Sequence, residues 1–235
     1  MGFEKFKLNS NILDTLKKCG FTVPTEIQEK VIPLANANKN ILGKSPTGTG
    51  KTHAFLLPIL NKIDPSINKV QAIILSPTRE LAKQIMLMIK PFLENGSNIK
   101  AVLLSSGSDR NNDISSVAKT PHIVIGTPGR IKDIAFDSAV FNITTAKVCV
   151  IDEADMILET GFLDEVGVIL GKLKKDTQLM CFSATLPENL LQFLYSYIKQ
   201  PEFVDIDKQS LTSKTVEHVA YPTRNKNKLE VPKFI

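Results

Sequence analysis

Residues 40–43 form a short apolar run that leads into Ser45-Pro46-Thr47-Gly48-Thr49-Gly50-Lys51-Thr52. Residues 52–63 then place Phe55, Leu56, Ile59 and Ile63 on one helical face. Strand, glycine-bearing turn and helix in that order leave few folds open. Gly48 and Gly50 let the backbone curl so that its N–H groups face a phosphate chain, and the helix N-terminus adds a favourable partial charge. Lys51 has the reach to meet β- and γ-phosphates, and Thr52 can ligate magnesium. The usual pattern opens on glycine. Ser45 stands there instead, and a small residue fits.

The rest of the chain repeats the alternation. Apolar runs recur at 70–75, 99–104, 122–126, 147–151, 178–182 and 203–206. They are continuously apolar, which suits strands buried on both faces of a parallel sheet. Between them, residues 79–93 align Leu81, Ile85, Met88, Ile89 and Phe92, and residues 186–198 align Leu190, Leu191, Leu194 and Ile198. Two further helices, 9–20 and 24–34, precede the first strand. This order predicts an α/β domain over 1–206, with a mostly parallel sheet of about seven strands flanked by helices. Beyond it, residues 207–215 read as a polar linker and 216–221 as an isolated strand. A lone strand cannot bury its faces, so 207–235 reads as a linker and the opening of a second domain.

Composition narrows the class. With 235 residues, 43% hydrophobic and 23% charged, one sizeable core is accessible. No apolar run approaches the roughly 18 residues of a membrane span, and Glu4, Lys5 and Lys7 interrupt the N-terminus where a secretory signal would be apolar. A cytoplasmic, monomeric protein is the expectation. Cys19, Cys149 and Cys181 show no pairing pattern and read as buried reduced thiols, and His53, His122 and His218 form no ligand pattern and read as structural. The net charge of +5 permits a polyanionic partner without requiring one.

The run Val148-Cys149-Val150-Ile151 puts Asp152 and Glu153 at the carboxyl end of a buried strand. Carboxylates there cost free energy to desolvate unless a cation or donor compensates. Magnesium beside the phosphate loop is the natural compensation. Asp152 would hold it through water, and Glu153 would orient and deprotonate an attacking water. Thr127 and Ser183 also follow strands, so the polar signatures share the rim where open α/β sheets bind ligands.

At this point several motifs stand in one order. They are Gly20-Phe21-Thr22-Val23-Pro24-Thr25-Glu26-Ile27-Gln28, the phosphate loop, Pro77-Thr78-Arg79-Glu80-Leu81-Ala82, Thr127-Pro128-Gly129-Arg130, Asp152-Glu153-Ala154-Asp155 and Ser183-Ala184-Thr185. The chain resembles the DEAD-box RNA helicases from Phe3, at the spacing of the family's isolated upstream aromatic, to about residue 206. The run as a whole is similar to bacterial cold-shock-type members. The resemblance implies a RecA-like P-loop domain that binds ATP and Mg2+. It implies an adenine site with Phe21 stacking on the base and with Thr25 and Gln28 beside it. It implies sequence-nonspecific RNA contacts from Pro77, Thr78, Arg79, Gly107, Thr127, Pro128, Gly129 and Arg130, and a coupling role for Asp155, Ser183 and Thr185. By position alone, Ser183 and Thr185 also suit hydroxyl caps for a helix opening at Leu186-Pro187.

Two departures are visible. Ser105-Ser106-Gly107-Ser108 offers one glycine where the family often has a pair, and Glu159 stands where aspartate is commoner. The family closes its nucleotide site with arginines from a second RecA-like domain. This chain's arginines are Arg79, Arg110, Arg130 and Arg224, with no paired-arginine motif. The expectation is a chain that binds nucleotide, hydrolyses it slowly and unwinds nothing alone. Two other readings stay open: a nucleotide-dependent RNA tether without helicase output, and another P-loop motor such as a DNA translocase or transport ATPase.

Overall fold

In the computed structural model, which describes residues 2–206, each expected apolar run becomes a strand, with bounds shifted by a residue or two. The strands are β1 (Ile41–Lys44), β2 (Ala72–Leu75), β3 (Ala101–Leu104), β4 (Ile123–Gly126), β5 (Val148–Ile151), β6 (Gln178–Ser183) and β7 (Glu202–Asp205). The helices are α1 (Ser10–Lys18), α2 (Glu26–Asn36), α3 (Lys51–Lys62), α4 (Arg79–Glu94), α5 (Arg110–Val117), α6 (Pro128–Lys132), α7 (Ala154–Glu159), α8 (Leu163–Lys172) and α9 (Glu188–Tyr197). The sheet order is β3-β4-β2-β5-β6-β1-β7, and every pairing is parallel. The linker expected at 207–215, the strand expected at 216–221 and Arg224 lie outside the described residues.

Strand side chains alternate between faces, and the two faces feed two cores. Ile41, Ile74, Val150, Met180 and Phe182 join Leu16, Ile27, Val31, Phe55 and Ile85 from α1 to α4. Leu42, Ile73, Cys149, Leu179 and Cys181 join Ile131, Ile157, Ile169 and Leu194 from α6 to α9. The central strands β1, β2, β4, β5 and β6 are thus buried on both sides, which explains why they lack polar alternation, while the edge strands β3 and β7 are partly exposed. Phe55 and Phe182 meet at the centre of the first core, with ring centroids 5.4 Å apart. Phe3 packs edge-on against Phe6 at 6.0 Å and belongs to the same core.

Cys149 and Cys181 are buried as expected, and burial pushes the Cys149 thiol up to about 12. Cys19 is exposed instead, because it follows the last turn of α1 rather than filling its apolar face. No helix among the described residues is long and apolar enough to cross a membrane.

Parallel pairing aligns all strand carboxyl ends on one rim. The position of that rim depends on close strand approach at Gly126, the last residue of β4. A Cβ there would stand 1.8 Å from the carbonyl oxygen of Leu104, a backbone atom that cannot rotate aside. Gly126→Ala is expected to cost on the order of 3 kcal/mol in urea unfolding.

Candidate functional site

The phosphate loop leaves β1 at Lys44 and enters α3 at Lys51. Gly48 and Gly50 take φ values of +79° and +94°, the left-handed region that favours glycine. Gly50 is the N-cap of α3, so the amides of the first turn face the concavity formed by the curled loop. The Ser45 N–H donates to the Ser183 carbonyl at 2.9 Å, which fastens the start of the loop to β6. Ser45 is fully buried, with its hydroxyl paired to that of Thr49. The substitution for glycine is therefore accommodated by a bond inside the loop.

Lys51 stands between two acceptors. Its Nζ donates to the Ser45 carbonyl at 3.2 Å and pairs with Glu153 Oε1 at 2.9 Å. The two side chains are only 5% and 12% exposed, so this pair is shielded from the screening that weakens surface ion pairs. Glu153 reaches Lys51 from an unusual backbone. As N-cap of α7 it has φ +49° and ψ +56°, a left-handed conformation that costs a non-glycine residue roughly 1–2 kcal/mol.

Asp152 has no such partner. Its Oδ1 is buried and unbonded. Burial, and then the adjacent Glu153 carboxylate, push the Asp152 carboxyl up from 3.8 to about 7, with Lys51 opposing the shift. An orphaned carboxylate oxygen beside a phosphate loop fits a divalent cation or its bound water. Thr52 lines the same cavity. Among the described residues, no cluster of three or more His, Cys, Asp or Glu could hold a metal. A cation here would therefore draw most of its ligands from water and phosphate, the habit of Mg2+.

This cavity has a volume of about 450 Å3 and runs from Asp152 and Glu153, past Lys51 and Thr52, to Phe21, Val23, Thr25 and Gln28. Phe21 is 43% exposed and presents an aromatic surface at its far end. Gln28 is nearly buried. Its Oε1 accepts from the Thr25 N–H at 3.0 Å, and its Nε2 donates to the Gly50 carbonyl at 3.2 Å. One carboxamide therefore completes the start of α2 and braces the phosphate loop, leaving one N–H and one lone pair for a ligand. The opposite wall is Leu81, Gln84, Ile85 and Met88 of α4, together with His53. In the sequence the helical spacing of Leu81, Ile85 and Met88 signals only a core face, and Gln84 falls outside that stripe.

The residues expected to contact nucleic acid gather on the same rim. Ser106, Gly107, Thr127, Gly129, Arg130, Asp133 and Phe162 line a second cavity of about 320 Å3. Pro77, Thr127 and Pro128 are buried and shape the surface from beneath. The Thr127 hydroxyl accepts from the Ser106 N–H at 3.4 Å. Thr78 caps α4 by accepting from the Leu81 N–H at 3.2 Å, and Arg79 Nη1 donates to the Gly107 carbonyl at 3.1 Å. Ser106, exposed in this loop, was not singled out in the sequence because no motif letter marks it.

Arg130 is only 13% exposed. It pairs with Asp113 at 3.2 Å and Asp133 at 3.4 Å, and its Nη2 donates to the Ser108 carbonyl at 2.8 Å. Asp133 also binds Arg110 at 2.8 Å, so the group closes on itself with two positive and two negative charges. A phosphate approaching Arg130 must compete with two carboxylates.

A third cluster forms where α7 meets the end of β6. The Asp155 N–H donates to Ser183 Oγ at 3.0 Å. Asp155 Oδ2 accepts from the Thr185 N–H at 2.9 Å and from its hydroxyl at 3.0 Å. Burial works to raise the Asp155 carboxyl, and the bonds from Thr185 and Ser183 outweigh it, leaving the group below its ordinary value. Neither hydroxyl caps the helix that follows. The N-cap of α9 is Pro187, with no side-chain bond, and the helix opens at Glu188. The capping expectation is corrected because Asp155 offers Thr185 a charged acceptor, which is stronger than a neutral one.

A family model described as DEAD/DEAH box helicase matches residues 25–193. The chain is 40% identical to the DEAD-box ATP-dependent RNA helicase CshB of Bacillus subtilis, over 96% of this chain and 52% of that protein. It is 44% identical to CshB of Listeria monocytogenes, over 99% and 54% respectively. Among solved structures, a DEAD box protein from Methanococcus jannaschii superposes with a TM-score of 0.84 at 36% identity, covering 89% of this chain and 57% of that one. A Saccharomyces cerevisiae Dbp5 variant bound to RNA and ADP BeF3 does so with a TM-score of 0.79 at 29% identity, covering 88% and 52%. The chain spans about half the length of the curated relatives it matches.

The raised Asp152 carboxyl has a consequence for stability. The folded chain binds this proton more tightly than the unfolded chain, so stability falls as the pH rises from 3.8 through about 7. In metal-free urea titrations, Asp152→Asn is expected to flatten that part of the profile and to gain stability relative to wild type at pH 8. A profile unchanged by the substitution would refute the shift.

Proposed function

Because the chain belongs to the DEAD/DEAH box helicase family, we propose that it forms the ATP-binding RecA-like half of an ATP-dependent RNA helicase. The observation that carries this reading is the buried Lys51–Glu153 pair beside the unbonded Oδ1 of Asp152, at the mouth of a loop built for phosphates. In this reading Phe21 stacks on adenine, with Thr25 and Gln28 at its edge. Ser45, Pro46, Thr47, Gly48, Thr49 and Gly50 supply backbone around the phosphates. Lys51 exchanges Glu153 for the β- and γ-phosphates. Thr52, and Asp152 through water, hold Mg2+, which when bound neutralises charge developing on the phosphates. Glu153, released from Lys51, orients and deprotonates the attacking water.

RNA binds along the neighbouring rim. Thr78, Arg79, Gly107 and Gly129 approach its backbone, with Pro77, Thr127, Pro128 and Arg130 holding that surface in shape. Backbone-directed contacts carry little sequence information, and A-form geometry with its 2′-OH favours RNA over DNA. Asp155, Ser183 and Thr185 couple the two cavities. The complete protein acts in the cytoplasm as an ATP-gated clamp, in which a second RecA-like domain closes over ATP and RNA and a short duplex loses pairing. Residues 207–235 form the linker and start of that domain, and the isolated chain is monomeric.

The arginine positions support a division of labour. Arg79, Arg110 and Arg130 all cluster at the RNA rim, and no arginine among the described residues lines the nucleotide cavity. An arginine finger contributes about 10³–10⁵ in rate, so the chain alone is expected to bind ATP·Mg2+ and hydrolyse it very slowly. RNA-stimulated ATPase matching that of a two-domain helicase would contradict this division.

Single substitutions separate the roles. Lys51→Ala is expected to weaken ATP binding by about 30-fold or more, the loss typical of truncating one buried charge partner. Glu153→Gln should bind ATP at least as tightly as wild type, because Lys51 loses its competing partner. In the two-domain protein its hydrolysis should fall by about 10²–10⁴. Calorimetry and single-turnover kinetics check both, and normal hydrolysis by the Glu153 variant would remove it as the base.

A further inference from the structure

His53 follows Thr52 directly in α3, and nothing in the phosphate-loop pattern calls for an aromatic side chain there. Its ring is 6% exposed and lies between two phenylalanines. The Phe21 ring centroid is 4.7 Å away at 60° and the Phe92 centroid 6.1 Å away at 65°. Among the described residues no protein group hydrogen-bonds its side chain, so packing rather than a polar network sets its place. It also lines the nucleotide cavity with Phe21 and Lys51.

Phe21 needs such support. It sits in the segment between α1 and α2, after Gly20 at φ +79°, held on the backbone side by its N–H donating to the Leu16 carbonyl at 2.9 Å. Its ring is the most exposed aromatic surface in the cavity, and Val23 beside it is more exposed still. A ring free to rotate about χ1 makes a poor stacking surface, because ordering it on binding costs rotamer entropy. His53 approaches it from the first turn of a buried helix that cannot move without dragging Lys51 and Thr52.

We propose that His53 is a positioning residue that fixes the Phe21 ring as a platform for the nucleotide base and ties that platform to the helix turn carrying the phosphate-binding Lys51. This rests on the nucleotide reading of the cavity given above. Tilted aromatic pairs are favourable beyond simple area burial, and Phe92 of α4 completes the stack on the far side of His53. Base and phosphate recognition then share one rigid element, with the ring at residue 53 two positions from the ammonium at residue 51.

The test compares ligands with and without a base on the whole chain. Dissociation constants for ATP·Mg2+ and for inorganic tripolyphosphate·Mg2+ are measured by calorimetry for wild type, His53→Ala, His53→Phe, Phe21→Ala and the Phe21→Ala/His53→Ala double variant. His53→Ala is expected to weaken ATP binding roughly 3- to 10-fold and leave tripolyphosphate unchanged. His53→Phe should recover most of the loss, and the double variant should bind ATP no worse than Phe21→Ala alone. Should His53→Ala fail to fold, His53→Leu fills the space without a ring and carries the same comparison. Equal weakening of both ligands, no weakening of ATP, or losses that multiply in the double variant would overturn the proposal. Wild-type chain that binds tripolyphosphate but not ATP would instead overturn the adenine-site reading on which it rests.

Discussion

Lys51 carries its charge into a place where water barely reaches, and the site is organised around that cost. A buried ammonium needs a counter-charge and acceptors, and Glu153 with the Ser45 carbonyl supplies them at 2.9 and 3.2 Å. Meeting Lys51 requires Glu153 to adopt a left-handed backbone at the start of α7. That turn directs the next residues toward β6, where Asp155 meets Ser183 and Thr185. Asp152 beside the pair keeps an unbonded oxygen; burial first, and the Glu153 carboxylate second, raise its carboxyl, while the Lys51 charge opposes the shift. The one buried ammonium thus bears on both the left-handed turn at Glu153 and the charge balance at Asp152.

The fold was legible in the sequence because its central strands are buried on both faces. Continuous apolar runs such as 72–75 and 148–151, followed at once by Ser76-Pro77 and Asp152-Glu153, have few other uses. The helices on the second face were harder to read. In α5 the apolar residues are Ile114 and Val117, too few to form a stripe, and α6 is five residues long. In α8, Gly167 and Gly171 interrupt a pattern carried by Val166, Ile169 and Leu170.

The site divided along similar lines. Residues whose backbone or charge is dictated by the phosphate loop could be placed by position: Gly48, Gly50, Lys51 and Asp152 all fall where strand ends put them. Partners set by tertiary packing could not. Nothing linear connects Glu153 to Lys51 across a hundred residues, Gln28 to the Gly50 carbonyl, or Arg130 to Asp113. The Arg130 case shows the limit most clearly. A motif identifies the residue, but only the fold shows its guanidinium shared between Asp113 and Asp133. Thr185 gives the same lesson in reverse: its position suggested a helix cap, and a carboxylate from another strand end took its hydroxyl.

Helix α4 touches both candidate surfaces. Arg79 at its origin bonds Gly107 of the second cavity and Thr78 caps the helix, while Leu81, Gln84, Ile85 and Met88 wall the first cavity. Sixteen residues make a rod of about 24 Å, anchored by Ile85 and Ile89 in the core beneath it. One continuous helix therefore supplies both the residues beside Gly107 and a wall of the cavity at Phe21, so the length of α4 sets the spacing between the two surfaces.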